Sequence, residues 1–386
     1  MLTLIKQAQV YAPGFIGTQD VLFASGKVLQ IADNIELSGS ADLTVIDGQG
    51  MKLIPGLIDS LVHISGGGGE GGFHTRTPQM ELTEATTAGV TTVIGALGTD
   101  DVSRTLEDLL AKAYGLEQEG LNAFIHCGSY QVPVETLTGS VRRDLMLIPK
   151  VIGVGELALS DHRGSHPSVE ELTRIAADSL VGGMLAGKKG TVFLHLGDHE
   201  EKLNLVNQVI QTSAIPASQF FATHINRSLD LLEDGAKFAA YGGFIDMTTS
   251  TTPYFIEQGE VPAAKAVEMA LELGAPLSQL TMSSDGNASL PEFNDDGALV
   301  GLSVGRVHTL FDSFNELTKL IGFEDALTTV TLNPAVALGL ETKGRIQTGL
   351  DADLVLLNDN QQVQYVWSKG KLMVENGEAV KQGTFE

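Results

Sequence analysis

Polar and apolar positions along the chain fall into two rhythms. Over the first 50 residues they form short runs, many alternating with period two, as strands do when one face is buried: residues 1–6 (MLTLIK), 20–24 (DVLFA), 27–31 (KVLQI) and 43–47 (LTVID). Gly14, Gly17, Gly26 and Gly39 break these runs, and Ser25-Gly26 and Asp47-Gly48 are turn dipeptides. The C-terminal stretch repeats the pattern at 352–357, 362–367 and 371–374, with Gly349, Gly370 and Gly377 between. Two all-β ends predict one small β-sandwich domain of residues 1–54 and 344–386, each end covering apolar surface of the other.

The middle of the chain has another period. Apolar or β-branched runs recur at 57–64, 91–98, 122–130, 151–159, 191–197, 220–226, 243–249 and 280–285. Most are followed by helix-like segments, clearest at 79–88, 103–118, 168–186, 201–212, 228–240 and 262–273. Further helical patterns lie at 307–321 and 324–330 and in TLNPAVALGL. Strands alternating with helices imply parallel pairing and right-handed crossovers. Eight such units predict an α/β fold, a closed (β/α)₈ TIM-like barrel over residues 55–343. Two loops stand out on its expected catalytic face: Ser65–Gly72 (SGGGGEGG) after the first strand and Asn287–Leu299 after the eighth.

Composition narrows the function. Hydrophobic residues make up 43% and charged residues 19%, the balance of a folded globular chain. Lys plus Arg number 24 against 48 Asp plus Glu, a net charge of −24, which argues against a binder of nucleic acid or of anionic membranes. The lone Cys127 forms no intrachain disulfide and suits a reducing compartment. The N-terminal residues lack the basic and apolar regions of a signal peptide, and no apolar run is long enough for a spanning helix, so the expected location is the cytoplasm.

Candidate chemistry follows from where His, Asp and Glu fall on the barrel strands. His63 ends strand one, Glu156 lies late in strand four, His195 late in strand five, His224 late in strand six, and Asp285 ends strand eight. A single strand-end His is more often a hydrogen-bonded residue than a ligand. Five metal-competent residues at one end of one barrel are another matter. A His/carboxylate set suits Zn²⁺, with Co²⁺ or Mn²⁺ as alternatives.

These residues sit in motifs that resemble the isoaspartyl dipeptidases of the amidohydrolase superfamily. LIPGLIDSLVH (53–63) and GRIQTGLDADLVLLN resemble the superfamily at large. HISGGGGEGG (63–72), TRTP (75–78), GTD (98–100), GSYQVP (128–133), TGSV (138–141), SDHR (160–163), TVFLHLGD (191–198), THINR (223–227) and SSDGNAS (283–289) resemble that group in particular, over essentially the whole chain. Two departures stand out. Leu61 occupies the first position of the usual His-x-His, and Glu156 lies near the position usually held by a carboxylated lysine. The expected site is therefore one well-held metal on Glu156, His195 and His224, with a weaker second on His63, Glu156 and Asp285. A strand bulge would bring Glu156 forward.

The resemblance implies hydrolysis of the isopeptide bond of a β-aspartyl dipeptide by a metal-activated water, with Asp285 as general base and acid. That substrate carries one ammonium and two carboxylates. Glu70 suits the ammonium, and Arg163 and Arg227 suit the carboxylates. Tyr130 is expected to stabilise the oxyanion, and Thr99 and Ser289 to hydrogen-bond substrate. Asp59 is expected to orient His63 or to pair with Arg76; His74, His126, His162, His166, His199 and His308 are set aside as ligands, with His199 a candidate outer partner. The resemblance also implies a homo-oligomer, often an octamer. Two alternatives stay open: a cyclic-amide hydrolase of the hydantoinase or dihydroorotase kind, and a ligand-depleted, non-enzymatic scaffold.

Overall fold

In a computed structural model, which describes residues 2–37, 42–294 and 299–386, both rhythms become strands where expected. Met1, the break at Gly39 and residues 295–298 of the second loop lie outside the described residues. Strands β1 (Leu2–Tyr11), β2 (Phe15–Ala24), β3 (Lys27–Ala32), β4 (Leu43–Asp47) and β5 (Lys52–Pro55) come from the N-terminal end. The barrel is β6 (Leu57–Val62), β7 (Val90–Gly95), β8 (Asn122–Cys127), β9 (Val151–Leu159), β10 (Thr191–Leu196), β11 (Phe220–Thr223), β12 (Phe244–Thr248) and β13 (Leu280–Ser283). After it come a hairpin, β14 (Ser289–Phe293) and β15 (Leu299–Val304), then β16 (Leu354–Leu357), β17 (Val363–Ser368), β18 (Lys371–Glu375) and β19 (Glu378–Ala379).

Strands β6 to β13 pair in chain order, all parallel. The circle is closed between β13 and β6 by a parallel bridge between Val62 and Gly286, and the His63 N–H donates to the Gly286 carbonyl at 2.8 Å. The Ser284 N–H donates to Asp59 Oδ1 at 3.0 Å across the same seam. A lumen layer of Ile58, Leu61, Ile94, Phe193, Phe221 and Phe244 fills the cylinder. Surrounding helices bury their apolar stripes against the outer faces of the strands, as at Leu109, Leu172, Val206 and Phe314.

Two register slips re-aim side chains at the mouth. Between the pairs Val192/Val154 and Leu194/Leu157, β9 carries one residue more than β10, so the bulge falls on Gly155–Glu156. Between Asp59/Val93 and Val62/Gly95, β6 likewise carries an extra residue at Ser60–Leu61.

The terminal strands form one sheet in the order β19-β18-β17-β16-β5-β1-β2-β3, with β4 on β1. The sheet folds over on itself. Val28 N–H donates to Leu350 O at 3.0 Å, and Ala352 N–H to Gly26 O at 2.9 Å. Ile5, Val21, Phe23, Leu53, Leu354 and Trp367 fill the space enclosed. Some elements escape the sequence pattern. Helices Val141–Leu147 and Pro253–Glu257 are too short to show a periodicity, the expected helix at 79–88 shrinks to Leu82–Thr86, and the loop after the eighth strand contains the β14–β15 hairpin. No helix among the described residues is long and apolar enough to cross a membrane.

A buried polar knot ties the sheet to the barrel. Lys343, 4% exposed, donates to Asn122 Oδ1 of β8 at 2.7 Å and to Asp353 Oδ2 at 2.5 Å, and pairs with Asp351 at 2.9 Å. Lys27, the first residue of β3, reaches Asp351 at 2.8 Å. Burial alone would raise the Asp351 carboxyl, but the two lysines hold it down at about 2, below its ordinary 3.8. A depressed carboxylate stabilises the fold above its unfolded pKa and loses that contribution as pH falls through the folded one. Asp351→Asn is therefore expected to lower urea-unfolding stability by about 1 kcal/mol at neutral pH. The difference should be complete above pH 3.8 and vanish near pH 2.

Candidate active site

The C-terminal ends of the barrel strands bring the candidate ligands together. His63 follows β6, and its ring lies between Gly67 and Gly98, where an added Cβ would come within 3.2 and 3.1 Å of it. Its Nδ1 lies 3.2 Å from Ala96 O and its Nε2 3.3 Å from Asp285 Oδ1. His224, directly after β11, and Asp285, two residues after β13, each occupy the left-handed region, with φ of 62° and 53°. Such backbone is costly outside glycine and is retained where it aims a side chain. Glu156 is aimed by the β9 bulge, and His195 by the regular pleat of β10.

One atom each of Glu156, His195 and His224 lies within 4.8 Å of the others, and all three residues are buried. Glu156 Oε1 stands 2.9 Å from His195 Nδ1 and 3.1 Å from His224 Nε2. The outer partners of both rings suit the tautomers that a cation on Glu156 requires. Asp161 Oδ2, an acceptor only, lies 2.9 Å from His195 Nε2 and accepts a proton there when Nδ1 faces the cation. Tyr130 O–H then donates to the His195 Nδ1 lone pair at 2.7 Å. His224 Nδ1 meets Thr248 Oγ1 at 2.5 Å, a hydroxyl that accepts the ring proton when Nε2 faces a cation. In these tautomers two ring lone pairs converge on a carboxylate oxygen, an arrangement that repels unless a cation joins them. Glu156 Oε2 is buried without a hydrogen bond, a further oxygen open to a cation. The donor set fits a divalent metal ion.

Burial lowers both imidazoles, with the Arg227 guanidinium adding to the effect. His195 falls to about 3 and His224 to about 4, so both rings are neutral at physiological pH. Burial would raise Asp285, but its pairing with His63 brings it down to about 2, so it is ionised at neutral pH. Burial, reinforced by Glu156, lifts the Tyr130 phenol well above its usual value, so it stays a proton donor.

The polar residues around this cluster face one another. Arg163 lies between two carboxylates: Nη2 donates to Asp161 Oδ2 at 2.6 Å, and Nη1 is 3.6 Å from Glu70 Oε1. Thr99 Oγ1 donates to Glu70 Oε1 at 3.0 Å. Arg227 Nη2 reaches within 3.5 Å of His195 Nε2. Ser289 opens β14, where its Cβ would lie 3.0 Å from a Cβ added to Gly68 of the glycine loop. That loop is held by Arg104, 8% exposed, which donates to the carbonyls of Ser65 and Thr77. A cavity of about 280 Å³ opens beside Glu70 and Thr99 and is walled by Phe73, Arg76 and Val102.

Some expectations meet a different arrangement. Asp59 is fully buried at the barrel seam and orients the Ser284 and Leu61 amides; Arg76 pairs instead with Asp100 at 4.0 Å. His199 accepts from the Glu201 amide at 3.3 Å, away from the cluster's hydrogen bonds among the described residues. His126 is buried in the lumen, stacked on Phe193 at 5.0 Å, with neither ring nitrogen hydrogen-bonded. Leu61 is buried in the apolar lumen layer. His63 and Asp285 pair with each other and fall outside the three-residue cluster. Asp161, Thr248 and Arg104 escaped the sequence reading. Only Asp161, within SDHR, stood in a motif already singled out, and nothing in the pattern showed that it would face His195.

Residues 215–373 match the amidohydrolase family. The β-aspartyl dipeptidase of Fervidobacterium islandicum AW-1, in a crystal structure in complex with the β-Asp-Leu dipeptide, superposes with a TM-score of 0.90 at 44% identity, covering 98% of each chain. The imidazolonepropionase of Colwellia psychrerythraea is 24% identical over 374 residues, 88% of this chain and 84% of that protein. The dihydropyrimidinase of Brevibacillus agri NCHU1002 shares the fold at 16% identity and a TM-score of 0.67, covering 99% of this chain and 97% of its own. With the barrel, the buried Glu/His/His cluster and near-complete coverage by a relative at 44% identity, the chain belongs to the β-aspartyl dipeptidases of the amidohydrolase family.

Proposed function

We propose that this enzyme hydrolyses the isopeptide bond of β-aspartyl dipeptides with a single divalent cation, zinc by preference, held by Glu156, His195 and His224. The observation that carries this reading is the convergence of two neutral ring nitrogens on Glu156 Oε1, beside a cluster of Glu70, Arg163 and Arg227. Leu61 places an apolar side chain in the lumen where the usual His-x-His would supply a further nitrogen, so one cation is held tightly. When bound, the cation acidifies a water and polarises the scissile carbonyl.

The chain's own groups do the rest. The ionised Asp285 accepts the proton of the attacking water and passes it to the leaving nitrogen as the C–N bond breaks, giving aspartate and the free second amino acid. His63 holds the Asp285 carboxylate by its Nε2 contact. Tyr130, buried and protonated, donates to the oxyanion that develops on the carbonyl. Glu70, steadied by Thr99, binds the substrate ammonium, and Arg163 and Arg227 bind its carboxylates. Ser289 supplies a hydroxyl from the far side of the glycine loop. In the free enzyme Arg163 rests between Asp161 and Glu70, so a zwitterion exchanges partners with groups already paired.

Three measurements test this. Protein purified without chelator and reconstituted with zinc is expected to hold one equivalent by emission spectrometry, and Glu156→Gln little; two equivalents in the wild type, or full retention by the variant, would contradict the single-ion assignment. β-Asp-Leu should be cleaved and hydantoin left intact in side-by-side assays. Arg227→Gln should lower kcat/KM for β-Asp-Leu about 10- to 100-fold, the loss of a charged hydrogen-bonding pair. Faster turnover of hydantoin would replace the dipeptidase reading with a cyclic-amide one.

A further inference from the structure

Asp161 lies two residues past the end of β9 and contacts two parts of the site at once. Its Oδ1 accepts from the Arg163 backbone N–H at 2.8 Å and from Arg163 Nε at 2.9 Å. Its Oδ2 accepts from Arg163 Nη2 at 2.6 Å and from His195 Nε2 at 2.9 Å. The close approach of Arg163 Nη2 to His195 Nε2, 3.2 Å between two donors, follows from this shared acceptor. Asp161 is 3% exposed, so little water competes for these bonds.

The turn is shaped for the contact. Ser160 takes a left-handed φ of 54°, and Gly197, which follows β10, leaves the room the turn needs: a Cβ there would lie 2.6 Å from both Cα and Cβ of Asp161. The Gly197 N–H donates to Leu159 O at 3.0 Å and the His199 N–H to Ser160 O at 3.0 Å, fixing the turn after β9 to the strand that carries His195.

Resting on the dipeptidase reading above, we propose that Asp161 is a positioning residue that joins cation binding to substrate recognition. By accepting the His195 Nε2 proton it fixes the tautomer that turns a bare Nδ1 toward Glu156, and raises the basicity of that nitrogen. By accepting from Nε and Nη2 it sets the plane of the Arg163 fork for a substrate carboxylate, leaving Nη1 free to point toward Glu70. One carboxylate thus sets both a cation ligand and a substrate clamp.

The test compares Asp161→Asn with Arg163→Gln. Asp161→Asn keeps the shape but presents an amide in place of one acceptor oxygen. Its zinc dissociation constant, from competition against a fluorescent chelator without substrate, should rise about 10- to 100-fold. Its KM for β-Asp-Leu should stay raised several-fold even at saturating zinc, because Arg163 has lost its orienting partner. Arg163→Gln should raise KM and leave zinc affinity within a few-fold of wild type. A zinc constant for Asp161→Asn within twofold of wild type, or a KM that returns to the wild-type value once zinc saturates, would overturn the proposal. Nitrogen-15 NMR of histidine-labelled wild-type apoprotein needs no variant: His195 should be the Nε2–H tautomer, and an Nδ1–H tautomer would contradict the assignment. If the wild type fails to cleave β-Asp-Leu, the substrate reading falls while the zinc and tautomer measurements still judge Asp161.

Discussion

The site depends on a repulsion. Three acceptor atoms, His195 Nδ1, His224 Nε2 and Glu156 Oε1, are held within hydrogen-bonding distance in a buried pocket. In the cation-binding tautomers neither ring offers a proton toward the carboxylate, and Asp161 and Thr248 accept those protons on the far sides. In a low-dielectric interior such crowding of lone pairs is unfavourable, and a divalent cation converts it into attraction. The rest of the mouth is arranged around that point: the β9 bulge that carries Glu156, the left-handed turns at His224 and Asp285, and the glycines that flank His63.

The barrel itself was legible because parallel strands buried on both faces read as continuous apolar runs, and all eight were visible. The terminal sheet was legible from alternation and turn glycines, though its folding over on itself needed contacts between Val28 and Leu350 that no local pattern encodes. The candidate ligands were visible for a geometric reason: a residue late in a barrel strand reaches the mouth whatever its neighbours are. What stayed hidden was lateral. Asp161 meets His195 from 34 residues away, and Thr248 meets His224 from 24 residues away. Asp59 looked like a partner for a cation and is a seam residue, raised to about 7 by burial and further by the charge of Asp246.

In the proposed function the substrate clamp works by charge exchange. Arg163 is satisfied in the free protein by Asp161 and Glu70, and the hydroxyl of Thr99 is already on Glu70. Pre-paired groups lose little conformational freedom on binding, since they are ordered beforehand. A ligand with one ammonium and flanking carboxylates replaces those pairings in kind, whereas a neutral ring brings no charges to exchange for them.

Diffraction at the zinc absorption edge, from crystals grown with zinc, locates the cation. One strong anomalous peak is expected, about 2.0–2.3 Å from a Glu156 carboxylate oxygen, His195 Nδ1 and His224 Nε2, with Asp161 still on His195 Nε2. No peak among these three residues, or an ion bound through His195 Nε2 with Asp161 displaced, would contradict this site.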